Sequence, residues 1–400
     1  MGDVIRSILL GIASFFYNPV FYLLVLGLFL FSIQRVKRER LSFHIKAYGM
    51  FNTVFASVAP SLIMGAFGSA LLLLSGTALP AGVIVLLSCA YLLIMLTTQL
   101  RFLSPAIAGG AAMIVAYWLP NIRTPYPLVN GWIDDIRGVD FFSFGIFLVT
   151  GLLIECLLVY GWGARQTSPR LIDSRRGSKV GAHEASALWI VPLFFLVPSA
   201  GPVGSIGLWP FVSGSGHSFG FALFPLGVGI AQLITHTLPK RAVRTTGHWL
   251  LVNFFVTGLF VGLSYLFHLP LLAVIGGALA LIGRLALIGY HHYLREKRPF
   301  YFIRPTKGIR VVGVIPNSLG DRMGIRLGEE ILRVNDQDVV GEYDFYEALQ
   351  QRAAYCKLEV IDRFGEPRFA KGPIHQDDGH RIGLLFLEAE EWLDNRKTKA

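Results

Sequence analysis

The chain has 400 residues, of which 53% are hydrophobic and 16% charged, against about 25% charged in an ordinary soluble protein. Much of it must be solvated by lipid. The net charge of +10 invites a nucleic-acid reading, but residues 1 to 300 hold 21 Lys+Arg against 9 Asp+Glu while residues 301 to 400 hold 15 against 17. The polar part able to wrap a polynucleotide is thus near neutral, and no nucleic-acid partner is expected.

Apolar segments recur from residue 8 to residue 290, so no single one reads as a removable signal. Residues 4 to 16 are too short to span a bilayer alone and stop at Asn18-Pro19. We read 1–18 as an interfacial or re-entrant N-terminal helix. A helix needs about 20 mainly apolar residues to cross the hydrocarbon. The candidates run approximately 19–33, 54–75, 81–99, 103–119, 141–163, 187–200, 219–238, 248–268 and 270–288. They predict eight or nine spans in an α-helical polytopic membrane domain over 19–290.

Basic clusters set the orientation. Arg35, Lys37, Arg38 and Arg40 form one; Arg165, Arg170, Arg175, Arg176 and Lys179 the second; Lys240, Arg241 and Arg244 the third; Arg295, Lys297 and Arg298 the last. Positive loops stay in the cytoplasm. Successive clusters are separated by four, two and two candidate spans, so one orientation satisfies all four. It leaves 120–140 and 201–218 outside. The N-terminus stays open: nine crossings put it outside, a hairpin of 4–16 with 19–33 puts it inside.

Ionisable residues within spans are functional candidates by default. Glu155 lies about two-thirds along its segment, and Arg284 lies near a cytoplasmic end, within snorkelling reach. His291-His292 reads as a membrane-interface pair. Cys89, Cys156 and Cys356 form no C-x-x-C pair and read as small hydrophobes.

Near residue 300 the composition becomes that of a soluble domain. A juxtamembrane linker over 291–305 leads to a small α+β domain over 306–388 and a charged tail over 389–400. Gly308 to Val314 reads as a strand and Pro316-Asn317-Ser318 as a turn. Met323-Gly324-Ile325-Arg326-Leu327-Gly328-Glu329-Glu330-Ile331-Leu332 places glycines before a buried strand. Val334 to Val339 reverses the chain, Glu342 to Arg352 fits a helix burying Phe345, Ala348 and Leu349, and Leu358 to Ile361 reads as a strand. The order of elements and the G-I-x-x-G-E-x-I-L-x-V-N run resemble the PDZ family, in the arrangement of bacterial membrane-associated members.

That resemblance implies a groove where a partner peptide adds as a strand. Arg381-Ile382-Gly383-Leu384-Leu385-Phe386 fits the family's loop and strand, although Arg381 stands where Gly or an aromatic is usual. The implied peptide-binding residues are Arg381, Ile382, Gly383, Leu384 and Phe386, with Tyr346, Leu349 and Gln350 on the helix wall.

Two enzyme signatures fail on context. Gly216-His217-Ser218-Phe219-Gly220 matches G-x-S-x-G, but it sits in a Gly/Ser-rich outer loop rather than a strand-to-helix turn. His183-Glu184 is followed by Ala-Ser-Ala and cannot supply the H-E-x-x-H of a site-2 metalloprotease. No catalytic step, metal or cofactor is expected. A membrane-tethered or intramembrane protease or its regulator, or a small-solute transporter using Glu155, is the alternative.

Arg35-Val36-Lys37-Arg38-Glu39-Arg40 with Phe43-His44, then Arg101-Phe102-Leu103-Ser104-Pro105-Ala106, and many spans before one PDZ tail, resemble the MinJ family of division-site proteins. The resemblance implies a membrane scaffold enriched at septum and poles, with DivIVA and MinD as partners. Through MinD it would place the MinC inhibitor of FtsZ-ring assembly.

Overall fold

In a computed structural model the described residues are 2–43, 50–165, 167–174, 177–203, 209, 211–212, 218–351, 355–374 and 382–387. Seven of the nine apolar segments are helices. The N-terminal helix α1 (Gly2–Tyr17) is followed by α2 (Pro19–Phe43), α3 (Met50–Ser75), α4 (Ala81–Leu96), α5 (Pro105–Trp118), α6 (Pro127–Arg137), α7 (Phe141–Trp162), α8 (Pro239–Phe267) and α9 (Pro270–Lys297). Among them α2, α3, α7, α8 and α9 are long and apolar enough to cross a membrane, while α4 and α5 are apolar but shorter. Local chemistry sets several boundaries. Ser104 caps α5 by accepting from Ala106 N–H, Asp140 caps α7 by accepting from Phe142 and Ser143 N–H, and Pro127, Pro239 and Pro270 open their helices where no N–H is needed.

The segments 187–200 and 219–238 are strands, not helical spans. An antiparallel sheet of order β1-β2-β3 joins β1 (Thr167–Asp173), β2 (Lys179–Val203) and β3 (Phe219–Ile234). Apolar runs of this length are ambiguous by periodicity; the aromatics of these two favour strand, and their internal prolines and glycines disfavour helix. The pairing explains how prolines fit. Leu196↔Phe221, Phe194↔Leu223, Pro192↔Pro225, Ile190↔Gly227 and Leu188↔Gly229 are opposite pairs. Leu196 bonds outward to Thr77 and Leu79 rather than to β3, so this whole set turns its backbone to the outer edges. Pro192, Pro198 and Pro225 stand in it, where a missing N–H breaks no ladder bond.

Flanking elements satisfy several of the edge groups, as backbone within a membrane requires. Phe194 N–H donates to Ser69 Oγ at 2.8 Å and Leu223 N–H to Ser14 Oγ at 3.0 Å. Tyr91 donates to Gly227 O at 3.1 Å, and Gly229 N–H donates to Leu103 O at 2.7 Å. Along β3, Gly11 lies against Phe221, Ser14 against Leu223 and the side chain of Leu24 against Gly227. Helices α1 and α2 therefore follow the sheet in one sense, α2 continuing where α1 stops. Cys156 and Cys356 are buried, whereas Cys89 is exposed on α4, on a helix that lipid can cover.

The C-terminal region holds β4 (Ile309–Val314), α10 (Leu319–Arg322), β5 (Glu330–Val334), β6 (Gln337–Asp338), α11 (Glu342–Gln350), β7 (Tyr355–Ile361), β8 (Pro367–Pro373) and β9 (Leu384–Phe386). The sheet order is β8-β7-β5-β4-β9, with β6 paired to β5. Helix α11 buries Phe345, Ala348 and Leu349 against Val311, Ile331, Val334, Leu358 and Val360. Gly324 and Gly328 have φ of +71° and +84°, the left-handed backbone that makes glycine the default there.

This region is seated on the membrane part. Phe302 is fully buried with Val312 and Leu387 against Leu171, Leu238 and Tyr301. Gly181 N–H donates to Phe302 O at 3.0 Å and Tyr301 N–H to Thr235 O at 2.8 Å. Residues 291–297 of the expected linker continue α9, and Tyr301-Phe302 form the clamp.

Candidate functional site

Strand β9 closes one end of the C-terminal sheet and pairs only with β4 among the described residues. Among the described residues its other edge has no strand partner, and α11 lies near it, with the Phe345 ring 4.8 Å from that of Phe386. The entry to β9 is pinned: Ile315 N–H donates to Gly383 O at 2.8 Å and Gly320 N–H to Ile382 O at 2.9 Å. Gly383 has φ +79°, and a Cβ there would fall 2.2 Å from Ser318 Cβ. No other residue fits without moving the turn. Ile382, Leu384, Phe386 and Leu349 belong to the domain core, with Tyr346 half-buried against it. Gln350 is exposed at the end of α11, and Arg381 lies outside the described residues. The geometry brings a strand edge, a glycine turn and a helix wall together, and it commits most of the named apolar side chains to packing.

The His183-Glu184 pair has structural partners. His183 Nε2 donates to Val312 O at 2.8 Å, and burial pushes its imidazole down to about 4 against the smaller opposing effect of that bond. It is neutral at physiological pH and ties β2 to β4. Glu184 sits between Arg38 at 2.6 Å and Arg170 at 3.2 Å, while Arg35 and Ser168 converge on Glu39. Two of the basic clusters are thereby drawn to one end of the molecule. Helix α8 begins and α9 ends there too, since His183 pairs with Ile234 and His291 contacts Gln232.

Glu155 and Arg284 form a buried ion pair, Oε1 to Nε at 2.9 Å. Ser104 donates to Glu155 Oε2 at 2.7 Å, and Arg284 Nη2 donates to Gly229 O at 3.1 Å. Arg284 is thus held inward rather than snorkelling. One cation therefore neutralises the carboxylate and closes the edge of β3. Sequence reasoning saw both residues but not the pairing, because α7 and α9 are far apart along the chain. Ser218 stands just ahead of β3, and Gly216 and His217 lie outside the described residues. Among the described residues no group of three His, Cys, Asp or Glu could hold a metal ion.

No family model matches the chain. It is 29% identical to the "Cell division topological determinant MinJ" of Bacillus subtilis (strain 168) over 386 residues, which cover 96% of this chain and 95% of that protein. The chain is MinJ-like. A "Probable cell division topological determinant MinJ" of Lacticaseibacillus paracasei is 23% identical over 391 residues, 95% of this chain and 99% of that protein. The similarity to MinJ runs through both the membrane helices and the C-terminal sheet, so the two parts compare as one unit. Five helices long and apolar enough to cross a membrane thus stand beside similarity to a protein named a cell division topological determinant.

Proposed function

We propose that this MinJ-like protein is a membrane scaffold that positions the Min system at poles and septum by bridging DivIVA and MinD, without a chemical step. The observation that carries the reading is similarity along nearly the whole length to a cell division topological determinant. Helices span the bilayer and leave the basic end in the cytoplasm, as the clustered Arg and Lys favour. The C-terminal domain is of PDZ type. Its groove lies between the open edge of β9 and α11, and a partner segment adds there as a strand. Weak contacts in the plane of the membrane gain from avidity, so modest affinity for each partner suffices.

The test is capture of DivIVA and MinD from membranes by full-length protein and by Tyr346→Ala/Gln350→Ala, which changes the helix wall and spares the core. The variant should lose at least one of the two partners while remaining in the membrane at normal level. Equal recovery of both would remove the groove from the account.

A further inference from the structure

Three features have no use in the groove: the Arg101 to Ala106 run, Arg284, and His291-His292. The fold brings them together. A single 3-10 turn, Leu100–Phe102, precedes α5 and is fastened to β3 through the bond from Gly229 N–H to Leu103 O. Arg101, Arg284 and Arg295 converge with Gln232, Thr246 and His291 on a cavity of about 60 Å³. One water needs roughly 10–15 Å³ of such space, so a small oxyanion group fits.

No carboxylate lines this cavity. Glu155 is paired with Arg284, and Glu296, outside the lining, pairs with His292. Among the described residues neither Arg101 nor Arg295 makes an ion pair, and Arg101 Nε is buried with no hydrogen-bond partner. Arg101 is held over the Phe102 ring, 5.1 Å from its centroid, and Arg295 reaches His292 Nδ1 at 2.6 Å. The opposite wall is polar and uncharged. Thr246 donates to Gln232 Oε1 at 2.9 Å, so its oxygen accepts from His291 Nε2 at 3.0 Å, and His291 Nδ1 accepts from Gln232 Nε2 at 3.0 Å. That closed ring uses both imidazole nitrogens and leaves two arginines without a counter-charge.

We propose that this cavity binds a phosphate group at the membrane surface, either the headgroup phosphate of an anionic phospholipid or free phosphate, held by Arg101 and Arg295. Its place at the last turns of α9, where the apolar stretch gives way to Arg295 and Lys297, is the depth at which basic pockets between helices meet headgroups. Guanidinium groups suit it because their fork donates two bonds to one phosphate.

The experiment uses full-length protein in detergent, titrated with phosphatidylglycerol, phosphatidylcholine or inorganic phosphate, and reads thermal unfolding and retained lipid by native mass spectrometry. Phosphatidylglycerol should raise Tm and stay bound where phosphatidylcholine does not. Arg101→Gln/Arg295→Gln should weaken that response by about tenfold or more and leave the ligand-free Tm near wild type. Arg295→Gln alone, on a half-buried side chain at a helix end, should weaken it less and guards against a folding defect. A response to inorganic phosphate alone would support the anion site and discard the lipid as its source. Equal responses of wild type and both variants, or no response to either phosphate, would overturn the proposal.

Discussion

The buried pair of Glu155 and Arg284 is the residue on which the membrane part is most exposed to single changes. Breaking a buried ion pair from one side leaves an uncompensated charge and costs about 3–5 kcal/mol, whereas replacing both members with apolar groups is often neutral. Read by thermal unfolding in one detergent, Glu155→Gln should therefore lower Tm strongly, and Glu155→Leu/Arg284→Met should recover only part of the loss, because Gly229 O and Ser104 lose their partners. A carboxylate acting in a proton relay would instead lose function in the double variant with stability intact. Gly383→Ala is the counterpart in the C-terminal domain. It forces a side chain into a φ of +79° and against Ser318, and should cost about 1–3 kcal/mol, seen as a lower Tm of that domain.

At the scale of elements, the long apolar helices were legible from length and composition alone, and the turn glycines and the buried face of α11 were legible from spacing. The β2–β3 hairpin was not. Leu188 to Leu196 and Phe221 to Gly229 carry no charge, and hydropathy alone cannot separate a lipid-solvated helix from a strand enclosed by helices. The usable signal was the internal prolines Pro192, Pro198 and Pro225, which disfavour a helix. The run around Gly383 was legible as a turn leading into a strand, but the burial of its apolar side chains was not, since one strand residue can serve a core and a groove. Edge satisfaction gives a prediction. Ser69→Ala should leave Phe194 N–H unpaired at a cost of about 1–3 kcal/mol. Pro192→Ala should instead leave Phe194 N–H paired while freeing a new outward-facing N–H beside α3. Hydrogen exchange at Phe194 and thermal unfolding would distinguish the two.

At the scale of the whole molecule, the C-terminal domain is seated on the basic end by Phe302, the Tyr301–Thr235 bond and the His183–Val312 bond. The C-terminal domain and the membrane part therefore move as one body, and under the proposed reading a partner would be held at a set distance from the lipid. The seat has a pH dependence. His183 has an ordinary value of 6.5 when exposed and about 4 when seated. The unseated state binds the extra proton in between, so the contact is at full strength above about pH 6.5 and weakens as pH falls toward 4. Hydrogen exchange in β4 should rise over that range in the wild type. In His183→Gln the rise should vanish.

The scaffold account stands or falls on where cells divide without this protein. With its gene deleted in the host, fluorescently tagged MinD should lose its polar and septal focus, and septa should form near the poles or fail. MinD still focused at poles and septum, with septa at mid-cell, would contradict it.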